Sequence, residues 1–534
     1  MQRHSGMSAQ AGRRRAGVLI PLFSCPSTVS WGIGDIGDVK PVTAWLATAG
    51  QRVFQLLPLN EMAPGQRSPY SAISAMAIDP IYIRVPGVPE FEDLGGEDGL
   101  SPGDREALAA VRRAPRIDYR TVRRLKYAAL RAAFDRFLEA EWRHDTARAR
   151  ALRAYASEQA WWIEDYSLFR ALHVREHERP WSEWPAELQR REPAAIDRAR
   201  KELADEVIFH QYLQWLAGTQ WQHARQHTHG VELFGDLPFM VDGDSADVWA
   251  RQHQFRLDVS VGAPPDAFSA TGQDWGMPLY QWEVMAQEDF LWLRERARRS
   301  ADLFHGYRVD HLVGFYRTYG RLKNGGKGFF TPPDEPSQLV LGERLLGIFL
   351  GAGGEIIAED LGIVPDFVRA SLTRLGVPGY RVLRWERHWH TPGQPFRDPS
   401  EYPRLSVATS GTHDTEPLIV WWEEAPEDDR RKVSELPLIR QIAGAGTDLV
   451  HAPYATTVRD VLLEALVASG SDLLLLPVQD AFGWRDRVNE PATVSDDNWT
   501  FRLPWPVDRM QEVPAACETR DRLRAWSERY ARHG

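Results

Sequence analysis

Residues 304–315 read FHGYRVDHLVGF, and the centre of this stretch, Gly306–Asp310, is a short apolar run that ends on a carboxylate. It carries a charged Arg308 inside it, two positions before Asp310, so in a strand both side chains lie on the same face. Seven other short runs have the same character: residues 17–23 (GVLIPLF), 52–59 (RVFQLLPL), 231–237 (VELFGDL), 355–359 (EIIAE), 380–383 (YRVL), 405–408 (LSVA) and 472–478 (DLLLLPV). None alternates cleanly between apolar and polar, which is the pattern of strands covered on both faces in a parallel sheet. Helical periodicity separates most of them, in residues 39–49, 202–226, 292–304, 337–350, 364–375 and 457–469. Eight strands alternating with helices predict an α/β fold, a (β/α)8 TIM barrel.

Two stretches are too long for simple crossovers. Residues 97–200, rich in Arg, Ala and Glu with a 3.6-residue pattern, predict a helical subdomain inserted after the second strand; residues 241–291, rich in Gly, Pro and aromatics, predict a loop-rich insertion beside the cleft. The expected organisation is a disordered tail over 1–16 and one catalytic barrel over 17–534. The basic and apolar start of residues 13–27 resembles a secretion signal, but Pro21 interrupts it and GVLIPLF reads better as a buried first strand.

Composition narrows the function. The 534 residues carry 64 basic and 74 acidic side chains, a net charge of −10 that repels polyphosphates and argues against nucleic-acid binding. No apolar run reaches the length of a membrane span, so no membrane association is expected. Two cysteines are too few for a disulfide framework and fit a reducing, cytoplasmic setting. The glycines of GAGGEII (351–357) precede a strand, the wrong order for a phosphate loop. His223 and His227 have helical i, i+4 spacing but lack the Glu of HExxH, so a solvated face is the reading and no metal site is expected.

In a barrel, chemistry gathers where the strands end. Asp236, Asp310, Glu359, Asp360, Asp414 and Asp480 all follow apolar runs. Any one of them could be a salt bridge or helix cap; Asp360 and Asp480 suit that structural role. Repetition on one barrel face is what favours chemistry. Carboxylates with Trp and Tyr nearby, and no nucleotide or metal motif, suggest work on a glycosidic bond, where one carboxylate attacks and another donates a proton. Arg308 beside Asp310 favours the charged form of a nucleophile.

These motifs resemble, in order, those of the amylomaltases, the 4-α-glucanotransferases of the α-amylase clan. The likeness runs from about residue 17 to about 505 through SPYSAISAMAIDP (68–80), GDLPFMVDGDSADVWA (235–250), GAPPDAFSATGQDWGMPLYQW (262–282), FHGYRVDHLVGF, AEDLG (358–362), LGVPGYRVL (375–383), SGTHD (410–414), PVQD (477–480) and the NW of 498–499. The resemblance implies that Asp310 is the nucleophile, Glu359 the general acid/base and Asp414 the third carboxylate, which holds the distorted sugar. It implies that Arg308 attends the nucleophile, and that His311, His413 and Asp236 bond sugar hydroxyls. Tyr70, Gln273 and Trp275 would wall the donor and acceptor sites, and Asn498 would add a polar contact. It implies no metal or organic cofactor, and maltooligosaccharides or α-1,4-glucan as substrates in a retaining transfer. An α-glucan hydrolase with the same carboxylates, or a non-catalytic glucan-binding protein, are the alternatives. The chain departs from the family pattern at Thr415-Glu416-Pro417, where Asn-Asp usually follows SGTHD, at Met277, and at Leu312-Val313.

Overall fold

The computed structural model describes residues 13–264, 272–454, 456–491, 493 and 495–534. Twelve strands are present among them: β1 (Arg15–Leu19), β2 (Val53–Gln55), β3 (Glu232–Leu237), β4 (Phe255–Ala263), β5 (Gln273–Tyr280), β6 (Gly306–Val309), β7 (Thr318–Leu322), β8 (Phe329–Thr331), β9 (Glu355–Ala358), β10 (Gly379–Val382), β11 (Ser406–Thr409) and β12 (Leu473–Pro477). Eight of them close a barrel in the order β1-β12-β11-β10-β9-β6-β3-β2, and every pairing in it is parallel. The fold is a (β/α)8 TIM barrel, and its eight strands are the eight apolar runs of the sequence.

The register sorts the barrel interior into layers. Alternate residues of each strand point inward, and in-register neighbours share a layer. At the N-terminal end Arg15 pairs with Glu232 and with Glu355 at 2.6 Å, so a fixed cation joins three strands. The middle is apolar, filled by Val53, Phe234, Ile357, Val407, Leu473 and Leu475. Toward the C-terminal end the inward positions turn polar, with Gln55, Asp236, Arg308 and Thr409 all buried. A polar layer above an apolar plug is costly unless its groups bond one another. The residues that follow it form the site.

Residues 1–12 of the expected tail lie outside the described residues. Arg15 and Ala16, also assigned to that tail, belong to β1, because Arg15 is needed to neutralise Glu232 and Glu355 inside the barrel.

Between β2 and β3 the chain runs through a series of helices from Pro89–Asp93 to Ala204–Gln226. The longest, Tyr119–Ala140 and Ala204–Gln226, pack Phe134, Phe137, Phe209 and Tyr212 between them.

The stretch 241–291, read as loop-rich, instead holds β4 and β5, which join β7 and β8 in a four-stranded antiparallel sheet of order β5-β4-β7-β8. Its strands were masked in the sequence by two register irregularities in the β4–β5 pairing, between Arg256 and Ser260 and between Ser260 and Gly262, which break the alternation a half-buried strand would show. The KNGGKG segment (323–328) is the connection of the β7–β8 hairpin.

Candidate active site

The site starts from neighbouring strands. Asp236 on β3 and Arg308 on β6 are register partners, and Arg308 Nε donates to both carboxylate oxygens of Asp236, at 3.0 and 2.9 Å. The other end of the guanidinium, Nη2, donates to Asp310 Oδ1 at 2.6 Å and to the Tyr70 phenol oxygen at 3.1 Å. Tyr70 donates its own proton to Asp236 Oδ2 at 2.7 Å. With that proton spent, the 3.1 Å contact between the phenol and His413 Nε2 requires the hydrogen to be on His413. The same Nε2 lies 3.2 Å from Asp414 Oδ2. The imidazole also stacks on Tyr70, with ring centres 5.4 Å apart, and Trp499 packs against both rings.

Exposure divides these carboxylates by task. The Asp236 side chain is 0 % exposed and Arg308 5 %, whereas Asp310 and Asp414 are 32 % and 42 % exposed. Asp236 therefore serves as the buried counter-charge of Arg308, and the two accessible carboxylates face the cleft. Arg308 is buried, which opposes its charge, but Asp236, Tyr70 and Asp310 outweigh that and raise its pKa well above the ordinary arginine value.

Glu359 extends β9 just as Asp310 extends β6. The pairing Val309–Ala358 is the last of that ladder, so the next residue on each strand, Asp310 and Glu359, are lateral neighbours on the inward face. Two backbone amides hold Glu359: His311 N–H at 2.8 Å from Oε2 and Leu361 N–H at 3.0 Å from Oε1. His311 itself adopts a left-handed backbone conformation, φ 45°, which bulky residues seldom take. Burial pushes the Glu359 carboxyl up to about 7; Asp310 adds to the rise, and Arg308 and the two amides oppose it. Asp414 moves the other way. Burial works to raise it, but His413, Asn489 and Arg308 prevail and hold it well below the usual carboxylate range.

Trp275, on β5, meets the His311 ring edge-on with centres 4.9 Å apart and donates its indole N–H to Gln273 Oε1 at 3.0 Å. The antiparallel sheet thus borders the site through Trp275, while Pro265–Thr271 of the same motif lie outside the described residues. Asn498 is placed differently from the other named residues. Its amide is spent on its own loop, accepting from Glu490 N–H at 3.1 Å and donating to the carbonyls of Glu490 and Thr493. Asn489 is the amide that reaches the site, donating to Asp414 Oδ1 at 2.7 Å. The sequence reading missed Asn489, and also Gln55 and Tyr380, which bond each other at 3.0 Å and, with Arg308 and His413, line a water-sized space of about 10 Å³. No motif marks them; only barrel closure brings them in.

Asp360 and Asp480 hold structure. Asp360 accepts the Tyr380 N–H at 2.7 Å and pairs with Arg369 and Arg381, while Asp480 accepts from Ser410 Oγ and from the Leu418 N–H. Among the described residues no group of His, Cys, Asp and Glu is arranged to hold a metal ion, and no helix is long and apolar enough to cross a membrane.

The geometry can protonate a leaving oxygen at Glu359 beside an accessible carboxylate backed by a buried arginine. Comparison with known proteins places the chain in a family. The 4-alpha-glucanotransferase of Thermus thermophilus is 34% identical over 511 residues, covering 92% of this chain and 95% of its own. That of Chlamydia pneumoniae is 32% identical over 495 residues, 91% of each chain. The solved amylomaltase of Streptococcus agalactiae, in complex with acarbose, shares the fold with a TM-score of 0.80 at 24% identity, covering 97% of this chain and 100% of that one. The sequence model of the 4-alpha-glucanotransferases matches residues 20–508, and the chain belongs to that family.

Proposed function

We propose that this 4-alpha-glucanotransferase works by retaining double displacement on α-1,4-glucans such as maltooligosaccharides, with Asp310 as nucleophile and Glu359 as general acid and then base. The observation that carries this assignment is the contrast between adjacent strand ends. Glu359 holds its proton to about pH 7, and Asp310, one strand away, receives a hydrogen bond from a permanently charged guanidinium. A carboxyl that keeps its proton beside one bonded by a guanidinium is the division of labour that an acid and a nucleophile need.

Asp310 attacks the anomeric carbon while Glu359 delivers its proton to the departing glycosidic oxygen, leaving a glycosyl ester on Asp310. Glu359, now ionised, takes the proton of an acceptor sugar hydroxyl, which displaces Asp310 from the opposite side and restores the original configuration. Asp414, His413 and Tyr70, which contact one another, would hold the distorted ring, and Trp275 against His311 would offer an aromatic wall that favours a sugar over water in the second half.

Maltotriose alone tests the reading. Transfer gives glucose together with maltopentaose, or maltose together with maltotetraose, and then longer products, resolved as a ladder by chromatography. Only glucose and maltose would mean a hydrolase, and binding of maltoheptaose with no product from maltotriose would mean a glucan-binding protein.

A further inference from the structure

The loop carrying His413 and Asp414 leaves β11 at Ser410 and enters the helix Leu418–Glu424. It contains Thr415-Glu416. A single side chain closes this loop from below. Arg384, which follows β10, donates from Nε and Nη2 to the Ser410 carbonyl, at 3.3 and 3.1 Å, and from Nη1 to the Glu416 carbonyl at 2.9 Å. One guanidinium therefore bonds both ends of the loop.

Its side chain is 1 % exposed, so its charge demands a partner, and Glu416 Oε1 supplies one at 2.6 Å. Asp480 adds a second negative charge nearby, but its oxygens bond Ser410 Oγ and the Leu418 N–H at 2.5 and 2.6 Å, so Glu416 is the carboxylate that Arg384 bonds directly. Inside the loop Thr415 Oγ1 accepts the Thr412 N–H and donates to the Thr412 carbonyl, both at 3.0 Å. That hydroxyl lies where a Cβ on residue 411 would be, 2.3 Å away, so the turn requires Gly411. Thr415 and Glu416 thus fix the loop on the side away from the cleft, while Asn489 and Arg487 hold Asp414 on the near side.

We propose that Arg384 and Glu416 are positioning residues, a staple that sets His413 and Asp414 against the sugar at the cleavage site. The inference rests on the assignment of Asp414 to that sugar. A carboxylate that acts on a distorted ring contributes most in the transition state, so a loosened loop lowers kcat and leaves KM nearly alone. A staple that served stability alone would lower the melting temperature and leave the kcat of the folded protein unchanged.

The test compares the parent chain with Arg384→Lys, Glu416→Gln and Arg384→Ala in maltotriose disproportionation, counting only folded protein by circular dichroism. Lysine keeps the charge but its compact ammonium cannot reach both ends of the loop in the planar fork of arginine. The expected result is a kcat roughly 10–100-fold lower in Arg384→Lys, with KM within about threefold. Glu416→Gln, which keeps a hydrogen-bond acceptor but removes the directly bonded charge and leaves only Asp480 nearby, should lose roughly 3–10-fold. Added guanidinium chloride at millimolar concentration should restore part of the kcat of Arg384→Ala and do nothing for the parent.

Parental kcat in folded Arg384→Lys or Glu416→Gln overturns the staple, as does failure of both to fold, which would make the pair structural alone. A parent that makes no transfer products would overturn the functional reading itself, a separate outcome.

Discussion

Glu359 and Asp414 are carboxylates of one cleft driven in opposite directions, and each direction has a consequence that pH reveals. The Glu359 carboxyl is raised from its ordinary value to about 7 by burial. The general acid must carry its proton, so kcat/KM should fall as pH rises through about 7, and Glu359→Gln should abolish turnover together with that limb. The same shift bears on stability. Between the ordinary carboxylate range and about pH 7 the folded chain holds a proton that the unfolded chain has lost, so this residue's contribution to stability falls as pH rises through that window. The stability difference between Glu359→Gln and the parent should therefore move in the variant's favour between pH 4 and pH 8, by something of the order of 2–3 kcal/mol in urea unfolding, on top of a pH-independent loss of one of the two backbone N–H bonds. Asp414 has the opposite sign: its depressed pKa contributes stability above the ordinary carboxylate range that is lost on acidification. Asp310→Asn tests the nucleophile. It should fold normally and lose at least about 10³-fold in kcat, with no trapped glycosyl ester by mass spectrometry; near-parental turnover would remove Asp310 from that role.

At the scale of elements, the strand ends deliver the charged groups and the loops orient them. The loop that presents Tyr70 is moored through Glu61, whose backbone bonds Ile73 and Ala77 and whose buried carboxylate lies 3.0 Å from Arg170 of the helix Ala160–Arg175. Tyr166 donates to the same carboxylate. Arg170→Met should strand Glu61 without its counter-charge and cost about 3–5 kcal/mol in urea unfolding. The barrel strands were legible because burial on both faces leaves short apolar runs. The antiparallel sheet was not, since its pairing slips twice along β4 and its interior side chains follow no fixed period. The strand-end carboxylates were legible as charges that follow apolar runs; Asn489, which bonds Asp414, was hidden because an asparagine in a polar loop carries no such contrast.

Across the whole molecule the two ends of the barrel divide the work. Arg15 with Glu232 and Glu355 closes the N-terminal end, far from the cleft in the layered interior. Replacing Arg15 with Met should destabilise the fold by about 3–5 kcal/mol, while the kcat of the folded enzyme stays within about twofold; a large fall in kcat would show that the two ends are coupled. The sequence by itself determined the eight strands, the helices between them and the charged residues at the strand ends, because burial and chain direction leave a local pattern. Only the tertiary structure decided which of those charges stay accessible and which face one another. Tyr70 and His413 meet across 343 positions of chain, and Asp236 and Arg308 across 72. No local pattern encodes such a contact: closure of the barrel brings the partners together, and once they are buried each charge takes the nearest opposite one. That is why Asp236 became the counter-charge of Arg308, and why Thr415 and Glu416, unremarkable as letters, hold the loop that presents Asp414.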